Sequence, residues 1–401
     1  MLELEEALER ILAAVPPATP ENIPLSAADG RVLSGRMLAS VDLPPFDNSS
    51  MDGYAVRAED VAAAKPEAPV GLVLAGRVAA GENLPGTMAA GTCVRLFTGS
   101  PLPAGADAVV MQEDTRIEPG NPQSVLFLDG AKRWENVRFK GEDVKRGAVL
   151  AEAGEVLGTG RLCLLGASGM GQVRVGRQPV VAVMATGSEL VEPGQALAPG
   201  QIFESNRLGL AALIRRTGAI PKVFPLVADT LAATRVALAE AFQECDLVVT
   251  SGGVSVGEMD FIKRAFEEIG GELQFWKVAI KPGRPFVFGR QGDKFLFGLP
   301  GNPVSALVTF LLLARPALLR WQGATEAGLP GFPGELAEPL ANPSERRHFM
   351  RVRVDTAGEI HSTGMQASHG LNALAAANGL VDVPPKTTLR AGERVKVLRW
   401  E

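Results

Sequence analysis

At 401 residues the chain exceeds one ordinary hydrophobic core, and its length implies roughly two to four domains. Its 40 Lys and Arg stand against 45 Asp and Glu for a net charge of -5, which excludes a global attraction to nucleic acid or to an anionic membrane; any anion site must be local. A hydrophobic fraction of 46% fills the interior, while 5% aromatics and 29 prolines predict cores of Ala, Val and Leu joined by rigid turns.

The N-terminal stretch MLELEEALERIL places Leu4, Leu8, Ile11 and Leu12 at helical spacing, and Pro16 and Pro17 end that helix. Its acidity is the wrong chemistry for a signal or transit peptide. A polar, glycine-rich segment then leads to LPPFDNSSMDGYAV, which crowds Asn48, Ser49, Ser50, Asp52 and Gly53 between Phe46 and Tyr54, the only tyrosine. Two readings stay open there: a loop that recognises a polar ligand, and an Asx-type turn joining two domains. From Val56 to about Asp129 the runs VGLVLAGRV, TCVRLFTG and SVLFLDG, split by Gly and Pro, predict a small β-rich unit. Lys140 to Val175 mixes strand-like and helical stretches and is compatible with rejoining the N-terminal segment, the β unit then being an insertion.

From Pro179 the periodicity is that of an α/β domain. VVAVMAT, KVFPLVAD and DLVVT read as strands; SNRLGLAALIRRTG, TLAATRVALAEAF and EMDFIKRAFEEIG read as helices, the first capped by Ser205 and stopped by Gly218. Such alternation implies βαβ units and a mainly parallel sheet, whose ligands sit beyond the carboxyl ends of the strands. LPGNPVSAL opens the domain's last helix, with Asn302 placed to cap and Pro303 at the first helical position. The apolar run Val304 to Leu319 is interrupted by Arg315 and Pro316 and falls short of a bilayer span, which with the N-terminus predicts a soluble cytoplasmic protein. After Gly331, short strand-like pieces with proline turns predict a small terminal β-barrel or sandwich.

Cys93, Cys163 and Cys245 lack CxxC spacing and are expected to be buried thiols. His348, His361 and His369 lack metal-ligand spacing and are expected to be ordinary loop or strand residues. The densest chemistry lies in DLVVTSGGVSVGEMD. Gly252 and Gly253 let the backbone turn sharply and bring N–H groups to an oxyanion, and Asp260 is suited to a magnesium ion bridging to phosphate; an ordinary βα turn with Asp260 opening the next helix is the alternative. Glu189, Asp229 and Asp260 follow three strand ends, a hard oxygen donor set for Mg²⁺. FWKVAIKPGRPF adds Lys277, Lys281 and Arg284 on a proline-stiffened turn, either an oxyanion receptor or a solvated basic loop. Carboxylates, metal, basic turn and glycine loop together describe phosphate-ester or phosphoanhydride chemistry.

These blocks carry a resemblance. PPFDNSSMDGYAV, RLFTGSPLP with GADAVVMQED, KGEDV, ATGSEL, TSGGVSVGEMDF, FWKVAIKPGRPF, GLPGNPVSAL and MQASHGLNALAAANGL make the chain, over nearly its whole length, similar to the molybdopterin molybdenumtransferase family, MoeA and the E domain of gephyrin. The resemblance implies an enzyme that takes adenylylated molybdopterin and molybdate and releases AMP with Mg²⁺ assistance. The implied catalytic residues are Asp52, Thr98, Asp143, Asp229, Asp260, Lys277 and Lys281, and the implied metal ligands Glu189, Asp229 and Asp260. The substrate-binding set is Ser251, Gly252, Gly253, Ser255, Arg284, Pro300, Asn302 and Ser368. The resemblance also implies an elongated N-terminal domain (1–45 and 140–175), an inserted β-rich domain (46–139), a three-layer α/β domain (176–325) and a C-terminal β-barrel-like domain (328–401). A homodimer sharing its cleft between subunits is implied too, as is docking with other molybdenum-cofactor biosynthesis proteins. Ser188 and Thr230 stand where many relatives carry acidic residues, and Arg284 replaces a frequent lysine with a bidentate fork. A dimeric scaffold and a pterin-adenylylating enzyme are the rival readings; the intact acidic and basic set weighs against the first, and the extra domains against the second.

Overall fold

The computed structural model describes residues 1–82, 84–254 and 261–400. They form two compact units: residues 1–35, 153–158 and 172–401 in one, 36–152 and 159–171 in the other.

The larger unit is built on a six-stranded sheet in the order Ile220–Val223, Val180–Ala185, Leu247–Ser251, Lys294–Leu299, Val287–Gln291, Glu272–Trp276. The first four strands run parallel, and the last two continue antiparallel. Alternate residues point to opposite faces, and both faces are covered: Val181, Val183, Leu247, Val249, Phe295 and Phe297 pack against Leu4–Ala14, Asn206–Arg216 and the helix from Pro303. Ala182, Met184, Val248 and Leu296 pack against Leu231–Glu244 and Phe261–Glu268. The expected three layers result, and the strands read as unbroken apolar runs because neither face meets water. The interior is built mainly on Ala, Val and Leu, as expected. Phe275, Phe286, Phe288, Phe295 and Phe297 form a connected aromatic stack, with ring centroids 5.4 Å apart for Phe288 and Phe297, so the scarce aromatics are concentrated rather than diluted.

The final helix crosses the interruption expected at Arg315 and Pro316. Pro303–Trp321 spans 19 residues at mean hydropathy 1.5, yet 78% of it is buried within the fold, so its apolar character belongs to a core helix. Pro316 lacks an N–H, and its ring crowds the carbonyl four residues back. The helix answers with a π segment at Phe310–Ala314, whose wider turn absorbs the missing bond. Two expected caps also differ. Ser205 and Asn302 occupy the N-cap positions but make no capping bond with their side chains. The Glu204 carboxylate, one residue earlier, accepts from Arg207 N at 2.9 Å instead. Gly218 does end its helix, at φ +80°.

Five C-terminal strands close on themselves: Arg347–Val354, Glu359–Ser362, Gly331–Leu336, Arg394–Arg399, Gly379–Val383, and back to the first. Leu336, Val352, Ile360, Val381 and Val397 fill this barrel. A short strand, Ile280–Lys281, joins it in parallel, setting Lys281 opposite His348.

The smaller unit holds the expected β-rich body, a six-stranded sheet in the order Ala108–Met111, Gly53–Val56, Thr92–Leu96, Val70–Val78, Asn121–Phe127, Thr115–Glu118. Two ribbons, Asn48–Ser49 with Val137–Arg138 and Met37–Leu38 with Val149–Ala151, and the helix Thr159–Ala167 complete it. Cys93 and Cys245 are buried as expected, but Cys163 is exposed. It lies two positions from Leu165, the buried residue of its helix, and two helical steps turn a side chain to another face.

Phe266 is clasped between two glycines in the larger unit: a Cβ at Gly271 or Gly289 would lie 2.4 or 2.3 Å from its ring. Gly289→Ala is therefore expected to cost about 1–3 kcal/mol through overpacking and to lower the calorimetric melting temperature. Gly35→Ala, whose Cβ meets nothing within 4 Å, is the control and should leave it unchanged or slightly raised.

Candidate functional site

The carboxyl ends of the four parallel strands open onto one cavity of ≈ 700 Å³. Thr186, Gly187 and Glu189 line it after the first strand in sequence, Asp229 after the second, Ser251, Gly252 and Gly253 after the third, and Pro300, Gly301 and Asn302 after the fourth. The glycine turn is sterically obligatory. Gly252 and Gly253 sit at φ +90° and +67°, and a Cβ on either would meet the Thr186 carbonyl oxygen at 2.5 Å or the Thr186 hydroxyl at 2.8 Å. The Gly252 N–H donates to the Leu299 carbonyl at 3.1 Å, so it ties two strand ends together and is not offered to an anion. Ser251 is also spent internally: its buried hydroxyl donates to the Pro300 carbonyl at 3.3 Å and accepts from Asn206 Nδ2 at 2.7 Å. Asn206 reaches on to the Gly301 carbonyl at 2.7 Å, locking two turns in register.

Glu189 and Asp229 face the same space. Burial, and then the negative charge of Glu189, hold the Asp229 carboxyl above the ordinary aspartate range. Thr230 caps the next helix by accepting from Ala233 N at 3.2 Å. The Glu189 loop is fixed from beneath by Arg207, which is 4% exposed. Its guanidinium donates to Glu204 at 2.9 Å, to Glu192 at 2.6 Å and to the Phe224 carbonyl at 2.6 Å, satisfying a cation that burial alone would expel.

The basic turn adjoins the cavity through Pro285, whereas Lys277, Lys281 and Arg284 themselves do not line it. Lys277 holds φ +95°, and Gly283, at φ +104°, leaves only 2.3 Å between a would-be Cβ and Thr309 Cγ2, so this turn is rigid. It gathers cations that the sequence did not single out. Arg346 donates to the Ile280 carbonyl at 2.8 Å and has its pKa lowered by burial and by Arg284. His348, 2% exposed with both ring nitrogens unpartnered, is pushed down to about 4 by burial and then by Lys281, Arg351 and Arg346. Ser368 meets the site through its backbone, its carbonyl accepting from Val304 N at 3.1 Å, and its neighbour His369 lines the cavity instead of being an ordinary loop residue.

In the smaller unit Asp52 Oδ1 accepts from both the N–H and the hydroxyl of Thr98, each at 2.8 Å. These two bonds hold the Asp52 carboxyl below the usual aspartate range. Asp143 is exposed on a separate turn, anchored by its N–H to the Leu43 carbonyl at 3.0 Å. Asp260 and Ser255 lie outside the described residues. The cavity thus unites Glu189, Asp229, Ser251, Gly252, Gly253, Pro300 and Asn302, with Arg284 and Ser368 one residue from its lining. Thr186, in the same lining, has a buried hydroxyl with no partner among the described residues, and sequence reasoning missed Asn206, His369 and Arg346. The only signals were SNR after a strand and the histidine of ASH. Elsewhere, Asp355, Glu359 and His361 bring donor atoms within 4.8 Å of one another on a barrel hairpin. There Asp355 accepts from the Ala357 and Glu359 N–H groups at 2.9 Å, closing the turn.

Replacing Arg207 by Met strands Glu204, 3% exposed, without its cation. The expected loss is about 3–5 kcal/mol in denaturant unfolding, with faster amide exchange across residues 189–206 than elsewhere in the unit.

Three regions of the chain match family patterns: residues 2–169 the MoeA N-terminal region (domain I and II), residues 182–320 a probable molybdopterin binding domain, and residues 333–400 the MoeA C-terminal region (domain IV). Molybdopterin molybdenumtransferase 2 of Mycobacterium tuberculosis is 40% identical over 389 residues, 95% of each chain. The Haemophilus influenzae molybdopterin molybdenumtransferase is 36% identical over 404 residues, 99% of this chain and 98% of that one. The solved molybdopterin biosynthesis MoeA protein of Pyrococcus horikoshii superposes with a TM-score of 0.83 at 30% identity, over 100% of both chains. Identity at this level along nearly the full length means that the chain belongs to the molybdopterin molybdenumtransferase (MoeA) family.

Proposed function

We propose that this chain inserts molybdenum into molybdopterin, taking adenylylated molybdopterin and molybdate as substrates and releasing AMP with Mg²⁺. The observation that carries the reading is the paired Glu189 and Asp229 at the strand-end cavity, where burial and then the charge of Glu189 raise the Asp229 pKa. Such a pair fits a hard divalent cation with oxygen ligands, so Glu189 and Asp229, with Asp260, are the residues that would hold Mg²⁺. When bound, the ion neutralises charge on the phosphoanhydride. The rest falls to the chain itself. The obligatory glycine turn gives a phosphate close access to backbone, and Asn206 keeps the turns after Ser251 and Pro300 in register. Lys281, Arg346 and Arg351 surround a buried imidazole that has no partner among the described residues, and Arg284 acts on Arg346 beside it, a setting that attracts an oxyanion such as molybdate. The Ser368 segment docks on the helix that begins at the cavity.

The reading extends to a cytoplasmic homodimer in which the MDGY-bearing domain of one copy, with Asp52, Thr98 and Asp143, completes the cleft of the other. It extends also to the four-domain layout with an inserted domain at 46–139, and to docking with other cofactor-maturation proteins. These rest on the family resemblance.

Incubating purified protein with adenylylated molybdopterin, Mg²⁺ and molybdate should release AMP and yield molybdenum-loaded pterin; neither product would leave the scaffold reading in place. Asp229 supplies a sharper test. A carboxyl whose pKa is raised in the fold destabilises the metal-free protein above that raised value and ceases to do so as pH falls through it. Mg²⁺ needs the charged form, so its stabilising effect should fade over the same fall in pH. Asp229→Asn is therefore expected to raise the metal-free melting temperature at neutral pH, to abolish the Mg²⁺-dependent increment, and to slow AMP release by about 10²–10³-fold. An undiminished Mg²⁺ increment in the variant would remove Asp229 from the metal site.

A further inference from the structure

The smaller unit carries an exposed aromatic surface that has no part in the strand-end cavity. Trp134 is 38% exposed, Phe139 42%, Phe46 42% and Met51 40%. The ribbon pairing Asn48–Ser49 with Val137–Arg138 sets these side chains around one short stretch of backbone. Trp134 and Phe139 form an edge-to-face pair with centroids 5.5 Å apart at 62°, and Arg133 Cζ lies 5.1 Å from the Trp134 ring centroid.

The turn presenting Trp134 is held in an unfavourable conformation. Trp134 and Asn136 adopt φ +67° and +55°, a left-handed region that bulky side chains rarely enter. Hydrogen bonds over-determine it: Trp134 N donates to the Asp107 carbonyl at 2.5 Å, Val109 N to the Glu135 carbonyl at 3.0 Å, and Asn136 Nδ2 to the Val109 carbonyl at 2.9 Å. A glycine would occupy Trp134's position without strain, so the indole is retained against the preference of its own backbone. The same turn is tied to the Asp52 loop, since Ser50 N donates to the Asn136 carbonyl at 2.9 Å, two residues before Asp52.

Charge selects the guest. Arg133, Arg138 and Lys140 flank the rings and are exposed. Arg133 is 3.3 Å from Asp107 and Lys140 is 3.6 Å from Asp42, while Arg138 makes no ion pair among the described residues. Exposed rings edged by cations suit a planar heteroaromatic group that carries a phosphate: the ring stacks, and the guanidinium or ammonium meets the anion. We propose that Trp134 and Phe139, with Arg138 beside them, form a stacking site for the adenylate end of the substrate. The inference rests on the proposed reading, in which the MDGY-bearing domain faces the nucleotide cleft of a second copy.

Trp134→Gly is the decisive variant, because it relieves the left-handed strain while deleting the ring. In the full-length protein its melting temperature should equal or exceed that of the wild type. Calorimetric affinity for AMP should fall roughly tenfold, the loss of one stacked base. In molybdenum insertion the KM for adenylylated molybdopterin should rise while kcat changes little, and Trp134→Phe should recover most of both losses. Unchanged AMP affinity and KM in Trp134→Gly would overturn the site. So would a variant that sediments as a monomer where the wild type is a dimer, since the ring would then be covered by a second copy. Wild-type protein that releases no AMP would defeat the functional reading, whereas AMP calorimetry on the pair of proteins tests the stacking site independently.

Discussion

A parallel sheet with helices on both faces leaves no interior position for polar chemistry, and this constraint places everything else in the larger unit. The apolar residues along 181–184, 247–249 and 295–297 pack into one helical layer or the other, so polar function is displaced to the carboxyl ends. There the backbones must come close. A Cβ at Gly252 would strike the Thr186 carbonyl at 2.5 Å, and one at Gly301 would touch Gly252 Cα at 3.6 Å, so three turns meet almost without side chains between them. The cavity is the space left in front of that contact, and its walls are the first side chains each strand can offer after its last buried residue.

The turns hold their shape because the rest of the unit braces them. Arg207 spends its donors on Glu192, Glu204 and the Phe224 carbonyl, which fixes the loop leading to Glu189. The barrel strand Arg347–Val354 does the same for the opposite wall. Its first residues pair with Ile280–Lys281, and Arg351, fully buried, donates to the carbonyls of Met365 and Ala367 just before Ser368. The barrel is thus a brace for both the lysine turn and the serine turn. Small displacements of either would disturb charge placement, to which catalysis by oriented dipoles and charges is sensitive.

Features that depend on local pattern were legible in the sequence. Unbroken apolar runs marked the buried strands, Gly218 marked a helix end, and alternating runs marked the β-rich unit. The candidate carboxylates Glu189 and Asp229 could be placed because strand ends in such sheets converge wherever the helices lie. The remainder depended on contacts between distant segments. Whether Ser205 or Glu204 caps a helix is decided by Arg207, which pulls Glu204 inward. Passage of a helix through Pro316 depends on a π segment that no local propensity announces. Arg346 and His348 join the lysine turn only through β-pairing across more than sixty residues. Trp134's left-handed backbone is likewise invisible in a letter code, since the hydrogen bonds that impose it come from Asp107 and Val109.

The net charge of -5 conceals a local separation of opposite sign. At the strand ends burial and then the charge of Glu189 raise the Asp229 pKa, so the acidic wall disfavours its own charge. At the lysine turn, burial and the charges of Lys281, Arg351 and Arg346 hold His348 neutral down to about 4, and burial and then Arg284 lower the Arg346 pKa, so the basic wall disfavours its own charge too. Each wall would be calmer with a counterion, and Pro285 marks where the basic turn reaches the cavity. A single inert ion relieves only one of them. A ligand system with a divalent cation at one end and an oxyanion at the other relieves both, and it gains from each wall only when both ends are in place. That coupling gives a physical reason for the two walls to be filled together rather than one at a time.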